Sequence, residues 1–233
     1  MKQAVILAAG KGVRMRPLTD KVPKPLVKVS GKPFLHYLLT NLEKSGFEKV
    51  YFVVGYKKEQ LIEYIKKSSY NMAFEFIEQE KQLGTGHALK IMEDHIKENF
   101  VVLMSDNFYA LSDFKKINTK DKYNYVFGYE HEHPEKFGNL KVEEEYLEKI
   151  LEKTPKPVSN LINIGLYKFT PEIFKELDKV KKSERGEYEV TDAINFLAAK
   201  KTVKFIKADC WQDMGCPEDI SKMEQFLKNH YEE

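Results

Sequence analysis

Residues 4–14 read Ala4-Val5-Ile6-Leu7-Ala8-Ala9-Gly10-Lys11-Gly12-Val13-Arg14. A short apolar run that breaks at two closely spaced glycines is the pattern of a buried strand entering a tight loop. Ala4 to Leu7 therefore predicts a first strand. Gly10 and Gly12 predict a loop whose backbone N–H groups an anion can approach without side-chain obstruction. The alternation continues downstream. Phe34 to Lys44 and Glu59 to Lys67 are amphipathic, whereas Val50 to Val54, Phe74 to Ile77 and Phe100 to Met104 are apolar. Pro33 stands where the first helix would begin and Gly46 where it would end. Such a β-α-β-α-β order predicts strands covered by helices on both faces. Ligands of these sheets bind beyond the carboxyl ends of the strands, which singles out the loops after Leu7 and Met104.

The second half is less regular. Strand-like runs at Tyr125 to Tyr129, Leu140 to Val142, Ile162 to Phe169 and Val203 to Ile206 lie among helix patterns near Pro171 to Val180 and Thr191 to Lys200. The chain thus reads as α/β, with a Rossmann-like, mixed but mainly parallel sheet flanked by helices and carrying inserted antiparallel strands. Pro217 to Asn229 predicts a closing helix. With no internal repeat and no low-complexity tract, one domain over residues 1–233 is expected.

Lys and Arg number 38 against 36 Asp and Glu, a formal net charge of +2. That balance makes no field strong enough to attract nucleic acid or an anionic membrane as the main partner. No apolar run approaches the roughly 20 residues needed to cross a bilayer. The N-terminal stretch is too short in its apolar part for a signal peptide. Cys210 and Cys216, with five residues between them, form neither a redox pair nor a zinc ribbon. A reduced, cytoplasmic protein is expected, and a homo-oligomer is compatible with everything in the sequence.

Two common phosphate motifs fail in the glycine loop. A P-loop would need Gly-Lys-Ser/Thr beginning five residues after Gly10, and a dinucleotide fingerprint would need its third glycine there; Met15 occupies that place. What the segment has instead is cations. Lys11, Arg14, Arg16, Lys21, Lys24 and Lys28 fall within about twenty residues, held by Pro17, Pro23 and Pro25. Rigid positive charge of this kind suits a triphosphate.

The stretch Leu7-Ala8-Ala9-Gly10-Lys11-Gly12-Val13-Arg14-Met15-Arg16-Pro17-Leu18-Thr19, with Pro23-Lys24-Pro25-Leu26 after it, resembles the signature of the sugar-1-phosphate nucleotidylyltransferases. Val13 departs from the usual Thr or Ser. The resemblance implies a nucleotide-diphospho-sugar transferase fold. It also implies a loop, including Leu7, Ala9, Gly10, Lys11 and Gly12, that wraps a nucleoside triphosphate. Arg14 would neutralise the leaving pyrophosphate and Lys24 would hold the reacting phosphates.

Further family-like segments follow in order. Gln79 and the stretch Gln82-Leu83-Gly84-Thr85-Gly86-His87-Ala88-Leu89 resemble the part that reads the base, in wording closest to uridylyltransferases acting on N-acetylglucosamine-1-phosphate. By the same resemblance Gly84 and Thr85 contact the nucleotide. An amide at Gln79 pairs a donor with an acceptor, which suits uracil or thymine. Asp106 in Ser105-Asp106-Asn107 closes a buried strand, where a carboxylate is placed to ligate Mg²⁺. Ser105 stands where the family usually has Gly. Asp213 is the partner ligand by resemblance, in Trp211-Gln212-Asp213-Met214-Gly215-Cys216-Pro217-Glu218-Asp219, with Cys216 in place of the usual Thr. Gly138, Glu152, Lys153 and Asn163 match residues that bind the sugar phosphate, and Glu187 to Asp192 match the segment before a late helix.

The resemblance implies nucleotidyl transfer from UTP or dTTP to glucose-1-phosphate or N-acetylglucosamine-1-phosphate, giving a nucleotide sugar and pyrophosphate. Two alternatives stand beside it: a CTP-dependent cytidylyltransferase for an alcohol phosphate such as phosphocholine, and a non-catalytic nucleotide-sugar binding module. A glycosyltransferase is disfavoured because the chain has no Asp-x-Asp motif. With about seventeen residues after Cys216, no C-terminal hexapeptide-repeat domain is expected. His131-Glu132-His133 reads as a surface loop rather than a metal site, Cys216 as a small buried residue and Trp211 as core.

Overall fold

The computed structural model describes residues 2–119 and 121–231; Met1, Lys120, Glu232 and Glu233, part of the expected 1–233 domain, lie outside the described residues. In chain order the strands are β1 (Gln3–Ala8), β2 (Lys28–Val29), β3 (Lys32–Pro33), β4 (Lys49–Val54), β5 (Ala73–Glu78), β6 (Phe100–Met104), β7 (Asn107–Tyr109), β8 (Asn124–Glu130), β9 (Gly138–Glu143), β10 (Tyr146–Glu152), β11 (Leu161–Phe169), β12 (Val203–Lys207) and β13 (Trp211–Asp213). The helices are α1 (Phe34–Lys44), α2 (Lys58–Lys66), α3 (Thr85–Lys90), α4 (Leu111–Ile117), α5 (Ile173–Leu177), α6 (Val190–Ala198) and α7 (Asp219–His230).

Two compact units emerge, each discontinuous in sequence. One comprises Lys2–Glu80, Leu103–Asn118 and Asp209–Glu233, and the other includes Lys81–Val102 and Thr119–Ala208. In the first, β1, β4 and β5 lie in the order β5-β4-β1, all parallel, with Leu7 level with Val53. Ala4, Val5, Ile6, Val50, Phe52 and Val53 are fully buried, as parallel strands covered on both faces require. Helix α1 starts after Pro33 and buries Phe34, Leu35, Leu38, Leu39 and Leu42, one apolar stripe at helical spacing. Further along, β7 pairs antiparallel with β13, so that Asp213 lies opposite Asn107.

In the second unit the order is β11-β8-β12-β10-β9, with β8 and β12 parallel and the other pairs antiparallel. The expected inserted antiparallel strands are present, with β10 in addition. Its inward residues Leu147 and Ile150 are three apart because the ladder shifts register between Leu147 and Lys149. That shift breaks the alternation that would have announced a strand. Among the described residues no helix is long and apolar enough to cross a membrane.

Asn139, at the start of β9, is fully buried and latches the 158–161 segment. Its Nδ2 donates to the carbonyls of Ser159 (2.8 Å) and Leu161 (2.9 Å), and its Oδ1 accepts from the Val158 N–H (2.7 Å). Truncation would remove three part-buried hydrogen bonds to the backbone, each worth about 1 kcal/mol. Asn139→Ala should therefore lower unfolding stability by about 3 kcal/mol, read as an earlier midpoint in urea.

Candidate active site

The loop after β1 owes its shape to what packs beneath it. Gly12 has φ 60°, and a β-carbon there would press Thr19 Cγ2 at 3.1 Å and Lys24 Cβ at 3.2 Å, so both conformation and space select glycine. Thr19 is buried and donates its hydroxyl to the Gly12 carbonyl at 2.9 Å. Tyr56 closes the other side: its hydroxyl donates to the Thr19 carbonyl (3.0 Å) and its N–H to the Ala9 carbonyl (3.1 Å). Met15 is fully buried and anchors a single 3-10 turn, Val13–Met15. Lys11 and Arg14 stay exposed, available to an anion, while Leu7 and Ala9 are buried.

Lys24 sits in a second 3-10 turn, Lys24–Leu26, entered through Pro23. It is only 9% exposed, and its Nζ lies 2.6 Å from Asp106 Oδ2. Asp106 follows β6 directly. The chain is held there by the Ser105 N–H on the Leu7 carbonyl (3.3 Å) and the Met214 N–H on the Asp106 carbonyl (3.0 Å). The β7–β13 pairing brings Asp213 into the same region. Burial, then the negative charges of Asp219 and Asp106, push the Asp213 carboxyl above the ordinary aspartate value, with Lys24 acting in the opposite direction.

Asp219 is a third carboxylate of this region, quoted within the Trp211–Asp219 stretch but given no role by sequence reasoning. Its Oδ2 accepts the N–H groups of Gly215 and Cys216, both at 2.9 Å, and the Cys216 thiol at 3.2 Å. Burial alone would raise its pKa; the hydrogen bonds from Cys216 and Gly215 outweigh it and hold the group below its ordinary value. A side chain on Gly215 would meet Asp213 Oδ2 at 3.2 Å, Asp219 Oδ2 at 3.3 Å and Arg14 Nη1 at 3.7 Å. The acids and the loop arginine therefore converge on this one glycine. Cys216 is half-buried rather than buried as expected, because its thiol turns to Asp219.

Among the described residues no three His, Cys, Asp or Glu side chains form a complete metal cage. The donor set still fits Mg²⁺: Asp106 and Asp213 carry hard oxygen donors, and a cation beside them would offset the burial and the repulsion that raise Asp213. The remaining positions of an octahedron would fall to phosphate oxygens and water.

Gln79 follows β5 and is buried, its N–H on the Val54 carbonyl at 2.8 Å. In the other unit, residues 83–86 pair with the segment before α6. The Tyr188 N–H meets the Leu83 carbonyl (2.8 Å), the Gly86 N–H meets the Tyr188 carbonyl (2.7 Å) and Thr85 Oγ1 accepts the Val190 N–H (3.1 Å). Gly84 has φ 101°, and a β-carbon there would strike the Tyr188 carbonyl oxygen at 2.5 Å. Thr85 thus caps a neighbouring helix.

The four expected sugar residues share one corner of this second unit. Gly138 lies opposite Glu152 in the β9–β10 ladder. A side chain on Gly138 would meet Glu152 Oε1 at 3.2 Å and Asn163 Cβ at 3.4 Å. Lys153 follows at once with φ 41°, its N–H on the Phe137 carbonyl at 3.2 Å. Asn163 donates through Nδ2 to the Tyr167 hydroxyl at 2.7 Å. His131 Nδ1, in contrast, accepts the His133 N–H at 2.9 Å in an exposed turn, as a loop reading of that segment expects.

One unit therefore carries a cationic glycine loop backed by acids, and the other brings Gly138, Glu152 and Asn163 together. A family model described as nucleotidyl transferase matches residues 3–230. The chain is 40% identical over 235 residues to UTP–glucose-1-phosphate uridylyltransferase AglF of Haloferax volcanii, covering 97% of this chain and 96% of that protein. It is 38% identical over 229 residues to the bifunctional protein GlmU of Methanocaldococcus jannaschii, of which it spans 54%. Among solved structures, a UDP-glucose pyrophosphorylase in complex with UDP-glucose superposes with a TM-score of 0.88 at 25% identity, over 98% of this chain and 99% of that one. The chain belongs to the nucleotidyl transferase family and has the mixed α/β fold of its structural neighbours.

The raised carboxyl of Asp213 costs stability once it ionises. A group raised in the folded state contributes stability below its unfolded pKa and loses it as pH climbs through the folded one. Without metal, Asp213→Asn should therefore melt above the wild type at pH 7. The gain should shrink to nothing as pH falls below the ordinary aspartate range, as melting curves at pH 7 and pH 3.5 would show.

Proposed function

We propose that the protein transfers a nucleotidyl group from UTP or dTTP to a hexose-1-phosphate, glucose-1-phosphate or N-acetylglucosamine-1-phosphate, releasing pyrophosphate and a nucleotide sugar. The observation that carries this reading is the contact of Lys24 Nζ with Asp106 Oδ2 at 2.6 Å, with the lysine stem packed against Gly12 of the anion loop. A buried ammonium held at a strand end beside two acids is suited to divide its charge between a metal-binding group and a polyphosphate. The named activity of AglF, uridylyl transfer to glucose-1-phosphate, belongs to the same class.

In this reaction a phosphate oxygen of the sugar phosphate attacks the α-phosphorus. A new P–O bond forms as the α–β bridging bond breaks, and pyrophosphate departs with both electrons of that bond. Arg14 supplies the counter-charge for the departing group. Lys24 exchanges Asp106 for the α-phosphate oxygens, where charge must be balanced during transfer. Asp106 and Asp213 would hold Mg²⁺, which when bound neutralises phosphate charge. Gln79 offers a donor and an acceptor to the imide edge of the base. Glu152 and Asn163 take sugar hydroxyls and Lys153 the sugar phosphate. No covalent protein intermediate is required, since positioning and charge supply the acceleration in phosphoryl chemistry.

Lys24→Met and Asp106→Asn should each lower turnover by about a hundred- to a thousandfold with cooperative unfolding retained. The assay is pyrophosphate release across five nucleoside triphosphates and several sugar-1-phosphates with Mg²⁺. Near-normal turnover in both variants would overturn the assignment. Silence of the wild type across the grid, with nucleotide still bound, would mark a binding module instead.

A further inference from the structure

Strand β11 is irregular where the sugar-binding reading places Asn163. Its register against β8 shifts between Asn163 and Tyr167, and Gly165 between them has φ 73°. In a regular strand, residues four apart are separated by about 13 Å along the chain. The irregularity bends the strand until the Asn163 amide reaches the Tyr167 phenol at 2.7 Å. Bulges of this kind recur beside functional sites, where they re-aim a side chain.

Two contacts together fix the amide: the Gly165 N–H selects its orientation, and the Tyr167 phenol, able to accept or donate, holds it there. Asn163 Oδ1 accepts the Gly165 N–H at 3.2 Å while Nδ2 donates to the Tyr167 oxygen. A flipped amide would set its NH₂ against the Gly165 N–H, donor against donor. In the observed orientation one amide N–H remains to be offered to a ligand oxygen. Tyr167 itself is 1% exposed and stacks on Phe169 with ring centroids 5.3 Å apart, so the phenol has one place to be. Burial, reinforced by the charge of Glu152, raises the pKa of that phenol, so it stays protonated.

Resting on the proposed transfer reaction, we infer that Tyr167 is a positioning residue that holds the Asn163 amide in the orientation that donates an N–H to an oxygen of the hexose-1-phosphate. Tyr167 touches no substrate in this scheme; it acts through Asn163. The consequence is a selective effect on the acceptor sugar, since neither the triphosphate loop nor the paired acids are involved.

The test is steady-state kinetics on Tyr167→Phe, which deletes one oxygen and keeps the ring. The KM for the sugar-1-phosphate should rise about tenfold, as loss of one buried hydrogen-bond partner implies, while kcat and the KM for the nucleoside triphosphate stay within about twofold. Asn163→Ala should raise the same KM, and adding Tyr167→Phe to it should change nothing further, the mark of a residue acting through another. An unchanged sugar KM in Tyr167→Phe, a parallel loss of kcat and both KM values, or multiplying effects in the double variant would each overturn the inference while leaving the transfer reaction standing. A wild type that releases no pyrophosphate with any substrate pair would overturn the reaction and this inference together.

Discussion

A lysine that is nine-tenths buried must be paired, because an isolated ammonium out of water costs several kcal/mol. Lys24 meets this constraint through Asp106, and much of the glycine-loop region is arranged around that pair. The Lys24–Leu26 turn is tied to the end of β6, and Gly12 is kept free of a side chain so that the lysine stem can pass. Thr19 and Tyr56 then brace the loop from behind. Under the proposed reaction this pair would exchange partners: a phosphate would take the ammonium and a cation the carboxylate. A site in which each charge already has a substitute for its substrate avoids bare buried charge when empty.

The acids illustrate the cost of such a site. Asp213 is held near Asp106 and Asp219, and its carboxyl is pushed upward as a result. Asp219 escapes by accepting the N–H groups of Gly215 and Cys216. Two like-charged neighbours thus shift in opposite directions: Asp219 has three donors on Oδ2 and Lys222 on Oδ1, whereas burial and its neighbours' charges dominate at Asp213. On the proposed function, the stability given up at Asp213 would be returned by a bound Mg²⁺.

Much of the first half was legible because parallel strands buried on both faces write themselves as continuous apolar runs. Ala4 to Leu7 and Val50 to Val54 became strands one or two residues longer than their patterns, and Phe34 to Lys44 became α1 with the expected ends. The misses have physical reasons as well. Tyr146 to Glu152 carries a register shift that destroys its period, and β7 and β13 are three residues each, too short to show one. The division into two units was invisible because each is stitched from separate stretches of chain. The hydrogen bond of Thr85 to the Val190 N–H, 105 positions away, has no sequence signal at all.

The order of residues alone carries the β-loop-helix opening, the cationic loop with its glycines, the succession of acid and sugar-like segments, and through them the family. These are local properties: burial periodicity, backbone freedom at Gly12, and residue types at set spacings. Which of those residues meet is settled by folding. Lys24 reaches Asp106 across 82 positions, Asp213 arrives beside it through a strand pairing, and Tyr167 reaches Asn163 because the strand bends. Charge, hydrogen bonding and pKa depend on distance in space, and a linear chain does not carry that distance until it has folded.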